Sequence, residues 1–226
     1  MMKSFLLLFL AFASFTVNGQ NHFVGIHSGV SYTNAMHTNY PKDKTHYRTG
    51  LVSGLTYDYQ FRNNFSLGTG IVYNQRGYSW DFILSPAYTG EPNDLIFSYK
   101  VHRDFITVPL KIGFNYGKNY LVYANIGLTP SVLVEAYDVH PKFDFNGNDI
   151  PEMTFWNKEV VYKMDIGGLV ELGGGYKFTN RFWLNTAFVY QHSFTSILNY
   201  DRYPDKDIIH YGFSLSLGIK YALARE

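Results

Sequence analysis

A chain of 226 residues with 19 % aromatic residues, 16 % charged residues and no cysteine has room for one or two domains and none for disulfides. Its formal charge of +1 is spread without a basic or acidic block, which argues against nucleic acid or another polyanion as a partner.

Residues 1–19 read as a secretory signal peptide. Lys3 supplies the positive start, the apolar run from Phe5 to Phe12 is too short to span a bilayer as a helix, and Val17-Asn18-Gly19 sets cleavage after Gly19. Residues 20–226 are then one exported domain, and with no cysteine at the cleavage site no lipid anchor forms there. No later segment offers an uninterrupted apolar run of helix length. An exported chain that stays in a membrane without such helices must close into a barrel, because lipid offers no partner to free backbone groups.

Eight segments of the exported part alternate in character with the period of a strand. Segment 22–33 sets Val24, Ile26, Val30 and Tyr32 against Gly25, His27, Gly29 and Ser31, and 50–61 sets Leu51, Leu55, Tyr57, Tyr59 and Phe61 against Gly54, Thr56, Asp58 and Gln60. Segment 65–76 opposes Phe65, Leu67, Ile71 and Tyr73 to Ser66, Gly68, Gly70 and Asn74. In 105–116, Ile106, Val108, Leu110, Ile112, Phe114 and Tyr116 face away from Thr107, Lys111, Gly113 and Asn115. Both faces of 120–136 are apolar, and Val122, Ala124, Ile126 and Leu128 are favoured as the outward set over Leu121 and Tyr123. Segment 160–178 points Ile166, Val170, Leu172, Tyr176 and Phe178 outward, and 182–193 does the same with Leu184, Phe188 and Tyr190.

The eighth segment, 209–221, alternates most regularly. Ile209, Tyr211, Phe213, Leu215, Leu217, Ile219 and Tyr221 share one face, and His210, Gly212, Ser214, Ser216, Gly218 and Lys220 share the other. A strand facing water carries large polar groups. Glycine and serine suit the crowded interior of a narrow barrel whose outside meets lipid.

Three connections are short polar turns, at 62–64, 117–119 and 179–181, and the others are long. Short turns on the periplasmic side, long loops outside and an even strand count with both termini on the short-turn side make one consistent topology. The expected fold is all-β, an eight-stranded antiparallel up-and-down transmembrane β-barrel. Aromatic residues crowd each short turn, as Tyr57, Tyr59, Phe61 and Phe65 do at the first, in the manner of an interfacial girdle. Pro109 and Pro130 each remove a ladder hydrogen bond, and bulges are the expected remedy.

The stretches FSLGTGIVYNQRG at 65–77, FITVPLKIGFNYG at 105–117, YLVYANIGLTPSVLV at 120–134 and MDIGGLVELGGGYKF at 164–178 together resemble the PorT-type outer-membrane β-barrel family common in Bacteroidetes. The resemblance covers nearly the whole exported chain. It implies an eight-stranded barrel in the outer membrane of a Gram-negative bacterium and a secretion-accessory role, and it carries over no catalytic motif. One departure is that five residues, 222–226, follow Tyr221, where outer-membrane barrels commonly end on a terminal aromatic.

On the assigned phases the lumen holds His27, Asp58, Arg76, Lys111, Lys163, Asp165, Glu171, Lys177, His210 and Lys220, which must pair across strands because a narrow, poorly hydrated interior does not tolerate single charges. A gated ion or solute path through them is the lesser reading, since eight strands leave little space. His27-Ser28 and His192-Ser193 are candidates for a lipid A deacylase-like enzyme, but adjacent strand residues face opposite ways and neither pair can cooperate internally. The segment from Asp144 to Asp149 resembles a calcium loop with its glycine misplaced and no closing acid, and His37, His46, His102 and His140 lack metal-ligand spacing.

No metal, cofactor or catalytic residue is therefore assigned. The long loops carry aromatic contact candidates: Tyr40, Tyr47, Trp80, Phe82, Tyr88, Phe143, Phe145, Trp156 and Tyr203. The expectation is a non-enzymatic, monomeric outer-membrane barrel with a structural or interaction role. Its surroundings are lipid and lipopolysaccharide, and its partners are secretion-system or other envelope proteins.

Overall fold

Alternating side chains and short polar turns produce strands throughout the described residues. The computed structural model describes residues 21–37, 45–84, 95–140, 153–198 and 207–223. Its strands are β1 (Asn21–His37), β2 (Thr45–Gln60), β3 (Phe65–Leu84), β4 (Leu95–Thr107), β5 (Leu110–Gly117), β6 (Tyr120–Leu128), β7 (Ser131–His140), β8 (Met153–Trp156), β9 (Met164–Asp165), β10 (Gly167–Lys177), β11 (Phe182–Ser193) and β12 (Ile208–Ala222). Among the described residues the one helical element is a 3-10 turn, Lys158–Val160.

These strands make eight staves. β4 and β5 form the fourth, β6 and β7 the fifth, and β9 and β10 the sixth; every neighbour is antiparallel, and β1 closes the ring by pairing with both β2 and β12. Closure leaves the barrel no free edge at lipid depth, as a membrane span requires. The tight turns lie where expected. Asn64 takes a positive φ of 67° in the first, and in the second Gly117 adopts φ 118° with the Tyr120 carbonyl so near that no side chain would fit.

The two prolines are accommodated by paired interruptions. Val108-Pro109 separates β4 from β5, and Thr129-Pro130 separates β6 from β7 beside it. The Val108 amide donates to the Pro130 carbonyl at 2.9 Å, and the Thr129 amide donates to the Gly167 carbonyl at 2.8 Å, so the ladder is bridged where proline cannot donate. Expected bulges at the prolines are thus replaced by breaks on adjacent staves. The bulges lie elsewhere, between Tyr47 and Val52 on β2 and at Val134 on β7, opposite the step from Asp104 to Phe105.

The outer wall is apolar as predicted. Ile26 and Leu55 are each 60 % exposed and Leu217 64 %, while their strand neighbours His27, Thr56 and Ser216 turn inward. On the fifth stave Val122 and Ile126 face out and Tyr123 is buried. Two features explain that phase: the Tyr123 hydroxyl donates to the Thr186 carbonyl at 3.0 Å, and Gly173 opposite has no side chain to meet the ring.

The aromatic girdle at the short turns is present in pairs such as Phe65 with Phe114 and Tyr120 with Tyr176. A second one at the far end joins Tyr32 to Tyr47, stacked at 4.6 Å, and Tyr190 to Phe213.

Several strands outrun their predictions. β3 and β4 pair as far as Leu84 and Leu95, and β8 adds to β7 from Tyr137–Trp156 to His140–Met153. Much of the expected third-to-fourth and fifth-to-sixth loops is therefore sheet that continues beyond the barrel on one side. At its base the outer wall becomes polar, with Asp104 accepting from the Tyr73 hydroxyl and from the Gln75 amide at 3.3 Å.

Candidate functional site

Inward parity on eight tilted strands brings four ion pairs into the lumen, stacked from the short-turn end to the long-loop end. Lowest, Lys220 meets Asp58 at 2.8 Å and lies over the Tyr123 ring. Next, Lys111 donates to Glu171 at 2.9 Å, and Asn125 donates to the other oxygen of that carboxylate at 2.8 Å. Above, Arg76 donates to Asp165 at 2.6 Å and to the hydroxyls of Thr107 and Ser131, while Ser193 and Thr195 also donate to Asp165. Highest, Arg103 donates to Asp138 at 2.8 Å. Among the described residues, four cations face four anions in these pairs, which neutralise one another. Between the second and third tiers, Asn74 donates to Gln191 and Gln191 to Thr129, a chain of amides across the bore.

At the long-loop end the interior changes character. Phe105, fully buried, packs with Ala35, Tyr78, Val101, Leu133, Ala136, Val161, Ile197 and Ile208 in one apolar cluster. The Arg76 guanidinium lies 4.6 Å below the Phe105 ring centre, and the His210 ring meets Phe105 and Tyr78 edge-on. An interior expected to be polar throughout instead carries an apolar cluster at the long-loop end, beside the Arg103–Asp138 pair. The upper parts of β3, β4 and β7 and residues 196–198 stand above the lipid and pack on one another as a soluble core does.

Of the predicted lumen residues, Asp58, Arg76, Lys111, Asp165, Glu171, His210 and Lys220 face inward, and half-buried His27 shares a cavity with Thr56 and Lys111. Lys177 sits at the short-turn mouth with its ammonium 5.7 Å from the Trp183 ring. Lys163 is a correction: it is exposed, because β9 begins only at Met164 and the bend before it takes the side chain off the inner wall. Sequence reasoning missed Arg103 and Asp138. Extending the fourth segment back by two residues from Phe105 would have placed Arg103 inside, whereas the bulge at Val134 on β7 hides the phase of Asp138.

The two His-Ser pairs are split by the wall. Ser193 is inside on Asp165, and His192 is outside with its Nδ1 3.3 Å from the Tyr190 hydroxyl; His27 is inside and Ser28 exposed. Among the described residues no group of three or more histidine or acidic side chains is placed to hold a metal. His46 pairs with Asp81 at 2.9 Å, and His102 stacks on Tyr137. Residues 144–149 of the calcium-like segment lie outside the described residues.

Of the aromatic contact candidates, Tyr40, Tyr88, Phe143, Phe145 and Tyr203 lie outside the described residues, as does the side chain of Phe82. The others are on strands rather than loops, because the sheet outruns the membrane. Tyr47 stacks on Tyr32, Trp80 packs on the apolar cluster, and Trp156 on β8 is 66 % exposed with its ring against Tyr137.

An apolar wall, two aromatic girdles and an internally neutralised bore define a transmembrane β-barrel of the outer-membrane class. The chain belongs to the outer membrane protein beta-barrel domain family, whose sequence pattern matches residues 18–199. Among solved structures it is similar to Neisserial surface protein A, at 12 % identity and TM-score 0.42 over 88 % of this chain and 96 % of that one. It is also similar to the outer membrane protein OprG from Pseudomonas aeruginosa, at 12 % and 0.44 over 91 % and 96 %. A third is the outer membrane protease OmpT from Escherichia coli, at 11 % and 0.47 over 93 % and 98 %. No curated protein matches the chain.

Proposed function

We propose that the protein is a non-enzymatic, non-conducting barrel of the PorT type that acts by contact with other envelope components in a secretion-accessory role. Residues 1–19 serve as its cleaved export signal, and lipid and lipopolysaccharide surround a monomeric wall. One observation carries this reading: the bore is lined by paired charges and closed by an apolar roof, while the fold spends its extra length on a sheet standing outside the membrane. On that sheet β8 presents Met153, Phe155 and Trp156, all substantially exposed. Exposed aromatic and methionine side chains on a rigid sheet are favourable anchors for a protein partner, since little side-chain entropy is lost on binding.

A photo-crosslinking amino acid at Trp156 in intact cells tests the reading. A discrete adduct with an envelope protein, absent when the group is placed at lipid-facing Leu217, is the expected result. Adducts with lipid alone from both positions contradict it.

A further inference from the structure

Three small cavities follow one another along the bore, each sharing lining residues with the next. The lowest, about 40 Å³, is lined by Phe23, Gln60, Ser66 and Trp183, residues at the short-turn ends of their strands, and so lies at the periplasmic mouth. It shares Tyr123, Asn185 and Lys220 with the middle cavity of about 80 Å³, and the middle one shares Asn74, Gln191 and Ser214 with the uppermost, of about 20 Å³. A water needs roughly 10–15 Å³ of such space and two to four polar neighbours, so each cavity is large enough for at least one.

Buried polar atoms mark the same path. Asn185 Oδ1, Asn74 Oδ1 and Arg76 Nε make no hydrogen bond to the protein, and Asn185, Asn74 and Arg76 line the lower, middle and upper cavities respectively. Leaving such atoms dry is costly, and water in these cavities relieves that cost. Above the uppermost cavity the polar path stops at Phe105 and Tyr78, which roof Arg76 and His210 with ring faces and edges.

We propose that the lumen is a blind hydrated column that admits water and water-sized monovalent cations from the periplasm, up to the level of Arg76, and is sealed on the extracellular side by the Phe105 cluster. The proposal rests on the reading of a closed barrel and adds a direction of access to it. The three ion pairs below the roof are balanced in charge, and the roof turns the face of Phe105 and ring edges toward the column. Phe105 is then the residue that separates the column from the outside.

The absence of native cysteine makes single-cysteine probes unambiguous. Asn185→Cys, Asn74→Cys and, should Asn74→Cys fail to fold, Gln191→Cys are inserted into preformed vesicles, with protease cleavage of the long loops establishing orientation. Silver ion is then applied from one side, and free thiol is read by maleimide tagging after denaturation.

Silver on the periplasmic side is expected to abolish tagging at 185 and 74. On the extracellular side it is expected to leave 74 fully tagged until Phe105→Ala is added, when tagging is lost. Protection of 74 from the periplasmic side while 185 reacts overturns the column, and equal reaction from both sides with Phe105 present overturns the seal. Ion conductance by the unmodified barrel in a planar bilayer overturns the closed-barrel reading itself, an outcome separate from the other two.

Discussion

Arg76 and Asp165 meet at 2.6 Å across the bore from the third and sixth staves, each no more than 3 % exposed. A pair so deep stabilises little over an apolar pair of the same volume, yet either partner left alone is costly. Asp165→Asn or Arg76→Met is therefore expected to destabilise the barrel by about 3–5 kcal/mol, and the double change Arg76→Met with Asp165→Leu to recover most of that loss. Urea unfolding in lipid vesicles, followed by the gel mobility of unboiled samples, measures both. A double variant no better than the single ones would show that the hydroxyls of Thr107, Ser131, Ser193 and Thr195 fix the pair as a unit.

The outer wall makes a depth-dependent prediction. Leu217 faces lipid opposite Ser28 and Thr186, near mid-height, and arginine there is expected to cost about 2–4 kcal/mol. At Tyr120, on the rim, the same change is expected to cost no more than about 1 kcal/mol. Equal costs at the two positions would contradict the placement of the apolar belt.

Gly29 and Gly174 differ in the room around them. A methyl group on Gly29 would come 2.0 Å from the Leu215 carbonyl oxygen, so Gly29→Ala must part β1 from β12 and is expected to cost about 1–3 kcal/mol. Gly174, on the lipid face, has nothing nearer than 3.5 Å, and Gly174→Ala is expected to be neutral or to stabilise by up to about 1 kcal/mol. Unfolding midpoints at equal slope report the difference.

The proline breaks predict an asymmetry between neighbouring residues. Val108→Pro removes the amide that bridges to Pro130 and strands its carbonyl, at a cost of about 1–3 kcal/mol. Pro109→Ala disturbs no existing hydrogen bond and is expected to change stability by less than about 1 kcal/mol. The same unfolding assay separates them, and comparable losses at both positions would mean that the proline ring, rather than the Val108 bridge, holds the two staves in register.

What was legible in the sequence follows from where lipid imposes a rule. Between the girdles every second residue must be apolar, so the faces of 209–221 and 22–33 can be read directly, and β12 and β1 occupy those segments with the expected phase. Beyond the lipid that rule lapses. The upper halves of β3 and β4 carry Arg76, Tyr78, Val101 and Arg103 inside in no simple alternation of polarity, so the sequence of the sheet above the membrane has the character of a loop.

Phe105 shows the same limit at a single position. Its parity with Thr107 and Lys111 places it inside, but nothing local indicates that it roofs the bore, because its neighbours Ala35, Leu133 and Ile197 come from distant segments. Lys163 fails for a related reason, since a bend between Val161 and Met164 interrupts the count along the sixth stave.

The central claim is that hydrocarbon side chains line the outside of this barrel and small or polar ones its bore. Spin labels at single cysteines from 209 to 221 on β12, in lipid vesicles, test it most directly through collision with oxygen, which concentrates in lipid. The account predicts high oxygen accessibility at 213, 215, 217 and 219, low accessibility at 214, 216 and 218, and hence a period of two. A flat profile, or one with the even-numbered positions in lipid, would contradict it.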